Sequence, residues 1–226
     1  MFLPGLETVG GFSLANGPHH TTSPDHPAKT LVQVAVKLSR HPPAQWMHEK
    51  IDIGSELGIR AGGECVLADE SETTPSLFIA GGIGVAPLHS MLQERLAWLG
   101  DGPPPTSPTL LLYSVTTQEE LLFVDSLSNM ARSNPRFSVR LYFTQPLPDE
   151  EVPYPVYKGF PVIGGRITRA HLDEAMASNG MLAGGQDPAR AYLCGPPNMV
   201  DTVEALLVEG STPMVLPDRI HYERWW

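Results

Sequence analysis

The chain has 226 residues, 42% of them apolar and 18% charged, enough for one large domain or one and a half ordinary ones built round a true core. Its net charge is −10, with the acids dispersed and no Lys/Arg cluster, which argues against a nucleic-acid partner. Cys65 and Cys194 are the only cysteines, which excludes a four-cysteine iron–sulfur centre within this chain and gives no sign of a secreted disulfide framework, and no apolar run approaches the ~20 residues of a membrane span.

Residues 1 to 10 carry neither a signal-peptide nor an Arg-rich transit pattern. His19, His20 and His26 fall in a Pro/Ser/Thr-rich loop without ligand spacing, and His48-Glu49 lacks the second histidine of the helical zinc motif, so no metal site is predicted. Val32, Val34, Val36 and Leu38 alternate with Gln33, Ala35 and Lys37, the pattern of a half-buried antiparallel strand. His41-Pro42-Pro43 breaks it, a short amphipathic stretch surrounds Trp46, and 54–64 reads as glycine-punctuated strand. Residues 1–69 are therefore expected to form part of a small antiparallel β-barrel. The acidic, Ser/Thr-rich residues 68–74 mark a boundary, and 70–226 is expected to be an α/β domain.

From Pro75 onward strand and helix alternate, which predicts a doubly wound, five-stranded parallel sheet. Runs 77–80, 109–114 and 191–194 are nearly all apolar and belong in its middle; runs 137–143 and 218–223 alternate and belong at its edges. Right-handed crossovers then give the order 3-2-1-4-5, with a switch point between strands 1 and 4. Thr116 or Thr117 with Glu119 or Glu120 suggests a capping box for helix 2, the proline-rich 145–161 reads as a long loop, and Thr168 as the N-cap of the next helix, with Arg166 solvated. No Gly-x-Ser-x-Gly elbow supports a serine hydrolase.

Two segments carry chemistry. Gly81-Gly82-Ile83-Gly84-Val85-Ala86-Pro87 follows the first strand and opens a helix striped with Leu88, Met91, Leu92, Leu96 and Leu99, with Gly100 at the expected left-handed cap. Pro87 sits in the first turn, where its missing N–H costs no bond. A strand, a glycine turn and a helix N-terminus make an anion site, and Gly82 and Gly84 either let a pyrophosphate approach the backbone or form a tight turn. Cys194-Gly195-Pro196-Pro197-Asn198-Met199 follows the fourth strand in the same way, before a stripe of Val200, Val203, Leu206 and Leu207 ended by Gly210. Strand 2 ends in Ser114, Thr116, Thr117, Glu119 and Glu120, hydroxyls and acids where a 2′-phosphate needs Arg or Lys; this favours NADH over NADPH.

In order and separation the two glycine segments resemble the pyrophosphate and nicotinamide ends of the ferredoxin–NADP reductase superfamily, and the resemblance extends over essentially the whole chain. It implies cofactor contacts at Gly81, Gly82, Ile83, Gly84, Val85, Pro87, Ser114, Glu119, Cys194, Gly195, Pro196, Pro197 and Met199. The superfamily's flavin-binding Arg-x-Tyr-Ser matches Gly10-Gly11-Phe12-Ser13, which keeps Phe12 and Ser13 but not the phosphate-binding arginine. A flavin-pyrophosphate Gly-x-x-Ser matches the stretch through Pro42, Pro43 and Ala44, without its hydroxyl, and the superfamily barrel has strands upstream of this point. At the C-terminus Glu223 and Trp225, with Trp226, match the carboxylate and flavin-stacking aromatic; the tryptophans read alternatively as core or interface anchors. The resemblance implies a NAD(H)-dependent flavin oxidoreductase in which hydride passes between nicotinamide and flavin beside Ser13, Cys194 and Glu223, with electrons then going to an unidentified acceptor. Cys194 reads equally as a small buried apolar residue. FAD is expected to be weakly retained, which leaves a non-catalytic nucleotide-binding module as the alternative. The implied setting is intracellular and mitochondrial.

Overall fold

A computed structural model describes residues 1–18, 21, 29–63, 65–68, 73–97, 106–145, 156–181, 188–210 and 213–224. Seven strands, β1 (Ser76–Gly81), β2 (Thr109–Val115), β3 (Phe137–Phe143), β4 (Val156–Tyr157), β5 (Phe160–Gly164), β6 (Arg190–Gly195) and β7 (Ile220–Arg224), form one sheet in the order β4-β5-β3-β2-β1-β6-β7. All pairings are parallel except the β4–β5 hairpin. Helices α1 (Pro42–Glu49), α2 (Val85–Ala97), α3 (Val124–Ser133), α4 (Arg169–Ser178) and α5 (Pro197–Val208) complete the described secondary structure, with short 3₁₀ turns.

Strand β1 is buried at every position because alternate side chains enter two different cores. Phe78 and Ala80 join Leu111, Tyr113, Leu88 and Leu92 under α2 and α3; Leu77 and Ile79 join Leu110, Leu193, Leu172 and Val203 under α4 and α5. Arg95 bolts the amino-terminal edge of the sheet together, donating to Thr109 Oγ1 (2.9 Å), Ser107 Oγ (3.0 Å) and the Thr74 carbonyl (2.7 Å).

The expected order 3-2-1-4-5 is present as β3-β2-β1-β6-β7. The sheet extends further than expected, however. β3 is not an edge, because β5 pairs with it, and the stretch read as a loop contains β4 and the start of β5. Buried Phe160 and Val162 flank exposed Pro161, a proline tolerated beside the two-residue β4 where little ladder is lost.

Residues 1–69 depart most from expectation. Among the described residues they contain α1, with Pro43, Ala44 and Trp46 buried, and two isolated antiparallel bridges, Phe2–Gly58 and Leu14–Val34. The alternation from Val32 to Leu38 forms no continuous strand: only Val34 is bridged, and Leu31 and Leu38 stand 52% and 60% exposed. Period-two patterning makes a strand only where a neighbour supplies the ladder.

Thr168 caps α4 as predicted, its hydroxyl accepting from the His171 N–H and its own N–H donating to His171 Nδ1. Gly210 follows α5 with φ +97°. The capping box over residues 116–120 does not form; a 3₁₀ turn (Gln118–Glu120) intervenes, and α3 begins after Phe123 at φ 57°. Glu120 instead folds its carboxylate back to accept from the Thr116 N–H (2.9 Å). Leu99 and Gly100 lie outside the described residues.

Candidate functional site

The parallel registers carry the two glycine segments to one edge of the sheet. Gly81 lies beside Ser114, Ala80 beside Cys194, and Cys194 beside Glu223, all at the carboxyl ends of their strands, in the crevice where such sheets take ligands.

There the two segments interlock. A Cβ on Gly84 would fall 2.3 Å from the Cys194 carbonyl oxygen and 2.8 Å from the Gly195 nitrogen. One on Gly81 would meet Met199 Sδ at 2.6 Å and Pro196 Cδ at 2.8 Å, and one on Gly195 would meet Met199 Cε at 2.9 Å and Gly81 Cα at 3.0 Å. Three glycines therefore serve close packing of one turn on the other, with Met199 as the filler between them. Gly82 differs: its φ is +53°, and nothing stands within 4 Å of where its Cβ would be. Gly84, grouped with Gly82 as a cradle residue, is thus a packing residue, and the open space lies at Gly82.

The 3₁₀ turn Gly82–Gly84 runs straight into α2, with the Val85 N–H donating back to the Gly82 and Ile83 carbonyls. The 3₁₀ turn thus uses the Val85 N–H itself, and what it presents to the crevice is the positive end of the α2 dipole. Val85 and Pro87 are buried below it, while Pro196 is exposed and Pro197 half-buried at the mouth of the second turn.

At the far side of the crevice Ser13 donates to Glu223 Oε2 (3.3 Å), joining residues from opposite ends of the sequence. Burial pushes the Glu223 carboxyl above the ordinary carboxylate range, and the Ser13 hydroxyl works against that rise. Cys65 packs against the same core as Cys194, and burial, then the nearby Glu223 charge, lifts its thiol to about 11, so it is protonated at neutral pH. Cys194 is fully buried, one residue before the end of β6. Phe12, half-buried, packs next to Gly10: a Cβ at Gly10 would lie 2.5 Å from the Phe12 ring and 2.9 Å from Pro43 Cβ. Trp225 and Trp226 lie outside the described residues; just before them, Arg224 pairs with Asp201 (2.7 Å) and Glu204 (3.2 Å) of α5 and stacks on Tyr222.

At the β2 end, Ser114 is buried and Glu119 exposed, its carboxyl held low by the Thr117 hydroxyl and its own backbone N–H. Glu120 is held low by the Thr116 N–H and by Lys37, whose ammonium sits 3.0 Å away. The Lys37–Glu120 pair joins the N-terminal segment to this loop and was not foreseen, because exposed charges far apart in sequence carry no local signal. Among the described residues no three His, Cys, Asp or Glu side chains converge as metal ligands, and no helix is long and apolar enough to cross a membrane.

Residues 78–205 match the model of the oxidoreductase NAD-binding domain. The chain belongs to this family. It is 33% identical over 236 residues to oxidoreductase NAD-binding domain-containing protein 1 of Danio rerio, covering 100% of the chain and 78% of that protein. It is 26% identical over 232 residues to the propane 2-monooxygenase reductase component of Rhodococcus jostii, of which it spans 53%. The Amycolatopsis cytochrome P450 reductase GcoB shares the fold, with a TM-score of 0.68 at 23% identity over 99% of this chain and 58% of that one. The match spans most of β1, all of α2 and β6 and most of α5, and so both glycine turns.

Proposed function

We propose that the chain binds NAD(H) across the two interlocked turns, with the pyrophosphate over Gly82 and Ile83, the adenosine ribose toward Ser114 and Glu119, and the nicotinamide toward Cys194, Gly195 and Pro197. The observation that carries this reading is the left-handed, unobstructed Gly82 at the head of α2, the one position among the turn glycines where a Cβ would fill space that nothing in the protein fills. Ionised Glu119 repels a 2′-phosphate, so NADH is the preferred form.

Hydride transfer to a flavin is the finer part of the proposal. The ring-edge partners fit: Ser13 and Glu223 are joined beside the Cys194 row and offer a hydroxyl and a carboxyl whose pKa burial raises. The phosphate partners do not. Gly10 is walled in by Phe12 and Pro43, Ala44 is buried, and neither position offers a side-chain donor. Flavin, when bound at the Ser13 edge, supplies a two-electron acceptor for the nicotinamide. The chain's own contribution is orientation by the turns and a proton held between Ser13 Oγ and Glu223 Oε2. A phosphate end without charge-assisted hydrogen bonds, each worth roughly 1.5–3 kcal/mol, gives a flavin that dissociates on dilution. The same wall at Gly10 favours the second reading, a nucleotide-binding module without resident flavin.

The test is a visible absorption spectrum of the purified chain before and after gel filtration, with a separate NADH titration. NADH binding with flavin lost on the column is the expected result. No NADH binding overturns the proposal; flavin retained near stoichiometry overturns the weak-flavin part alone.

A further inference from the structure

Helix α2 does more than end at the phosphate turn. One turn below Val85 it carries His89, 2% exposed in an otherwise apolar stripe. His89 Nδ1 lies 2.6 Å from the Ala15 carbonyl oxygen, and since a carbonyl can only accept, Nδ1 carries the proton. In the neutral ring Nε2 then accepts from the Ser126 hydroxyl of α3 (2.9 Å), and the ring stacks on Phe123 at 4.3 Å. Donor, acceptor and face are all fixed by α2 and α3, so the Nδ1–H direction is fixed too.

The target of that N–H is the segment that bears Ser13. Ala15 is fully buried, and its N–H donates to the Gln33 carbonyl (2.8 Å). Two residues on, the Gly17 N–H donates to Gln93 Oε1 of α2 (2.9 Å), and a Cβ at Gly17 would sit 3.0 Å from the Ser90 carbonyl oxygen. The backbone at 15–17 is thus laid along the flank of α2 formed by His89, Ser90 and Gln93.

We infer that His89 is a positioning residue: through the Ala15 carbonyl it holds Ser13 against Glu223, so that the helix presenting the phosphate turn also sets the polar pair at the other side of the crevice. It deepens the function proposed above and rests on that reading for its significance, although the contact itself can be tested without nucleotide.

The experiment follows the Glu223 carboxyl by carbon-13 NMR in the full chain, its signal assigned by E223Q, while pH is varied. The Ser13 hydroxyl favours the ionised carboxylate, so S13A moves the Glu223 midpoint upward. H89L is expected to reproduce at least about half of that movement, and H89N, whose amide can replace the Nδ1 donor, to restore the wild-type midpoint. The inference is overturned if H89L titrates like wild type while S13A shifts, or if H89N shifts as far as H89L. If H89L does not fold, an H89N midpoint equal to that of S13A overturns it. A wild-type chain that binds no NADH overturns the proposed function and leaves this result standing.

Discussion

Substituting the turn glycines separately distinguishes packing from binding. At Gly84 a single methyl would be driven to 2.3 Å from the Cys194 carbonyl oxygen, with the Cys194 carbon at 2.5 Å and the Gly195 nitrogen at 2.8 Å. All three are backbone atoms at the end of a central strand, so they cannot swing aside as a side chain could. G84A is expected to cost about 3 kcal/mol or more, the upper end for overpacking a tight interior. For a domain of this size that lowers Tm by about 6–12 °C. Gly82 is the opposite case: no atom within 4 Å, and a φ of +53° that asparagine tolerates. G82N is expected to stay within about 1 kcal/mol of wild-type stability, the scale of a left-handed penalty softened by its side chain. It is expected to weaken NADH binding at least about tenfold, or ~1.4 kcal/mol, by filling the open space at that turn. Differential scanning fluorimetry and an NADH fluorescence titration on both variants read the two effects separately. A G84A chain that melts with wild type, or a G82N chain that binds NADH normally, would refute the reasoning.

NADH is expected to bind at least about tenfold more tightly than NADPH, and E119R to narrow that gap; equal binding of the two nucleotides by wild type sinks the specificity argument. R95M is expected to lower the unfolding free energy by about 1.5–3 kcal/mol, because three buried hydrogen bonds from a charged donor are lost while the Ser107 hydroxyl keeps its bond to the Thr74 carbonyl, without changing NADH affinity. Glu223 is raised in the folded protein, so ionising it opposes folding: the stability of the protonated form is fully present below the unfolded pKa of about 4.3 and is lost as pH rises through the folded value. E223Q is therefore expected to melt above wild type at neutral pH and together with it near pH 3, and urea titrations at the two pH values check this. Deleting Trp225 and Trp226 is expected to raise nicotinamide affinity when flavin is supplied if these rings cover the flavin, whereas lost stability with unchanged affinity marks them as anchors.

The central strands were legible because each is short and apolar on both sides, β1 and β6 being followed besides by a glycine turn, and the Thr168 cap and Gly210 stop were legible because both act within a few residues. β5 was hidden by Pro161 and by its brevity. The N-terminal alternation at Val32–Leu38 misled, since nothing in a single strand's pattern tells whether a partner exists to pair it. Gly82 and Gly84 look alike in the motif. Their roles separate only when Cys194 and Gly195, supplied by a distant strand, arrive beside one of them. Ser13 and Glu223 were matched individually by resemblance, while the clamp at His89 depends on Ala15, Ser126 and Phe123 meeting in space and left only one trace in the sequence, a polar residue among the apolar positions of α2.

The central claim is that the nucleotide lies over the interlocked turns, and amide NMR during an NADH titration tests it most directly. The account predicts saturable shifts at Ile83, Gly84, Val85, Gly195 and Met199, with smaller ones at Ser114, and none at Thr109 or Arg190 on the opposite edge of the sheet. Absence of shifts at the turns, or shifts centred on that opposite edge, would contradict it.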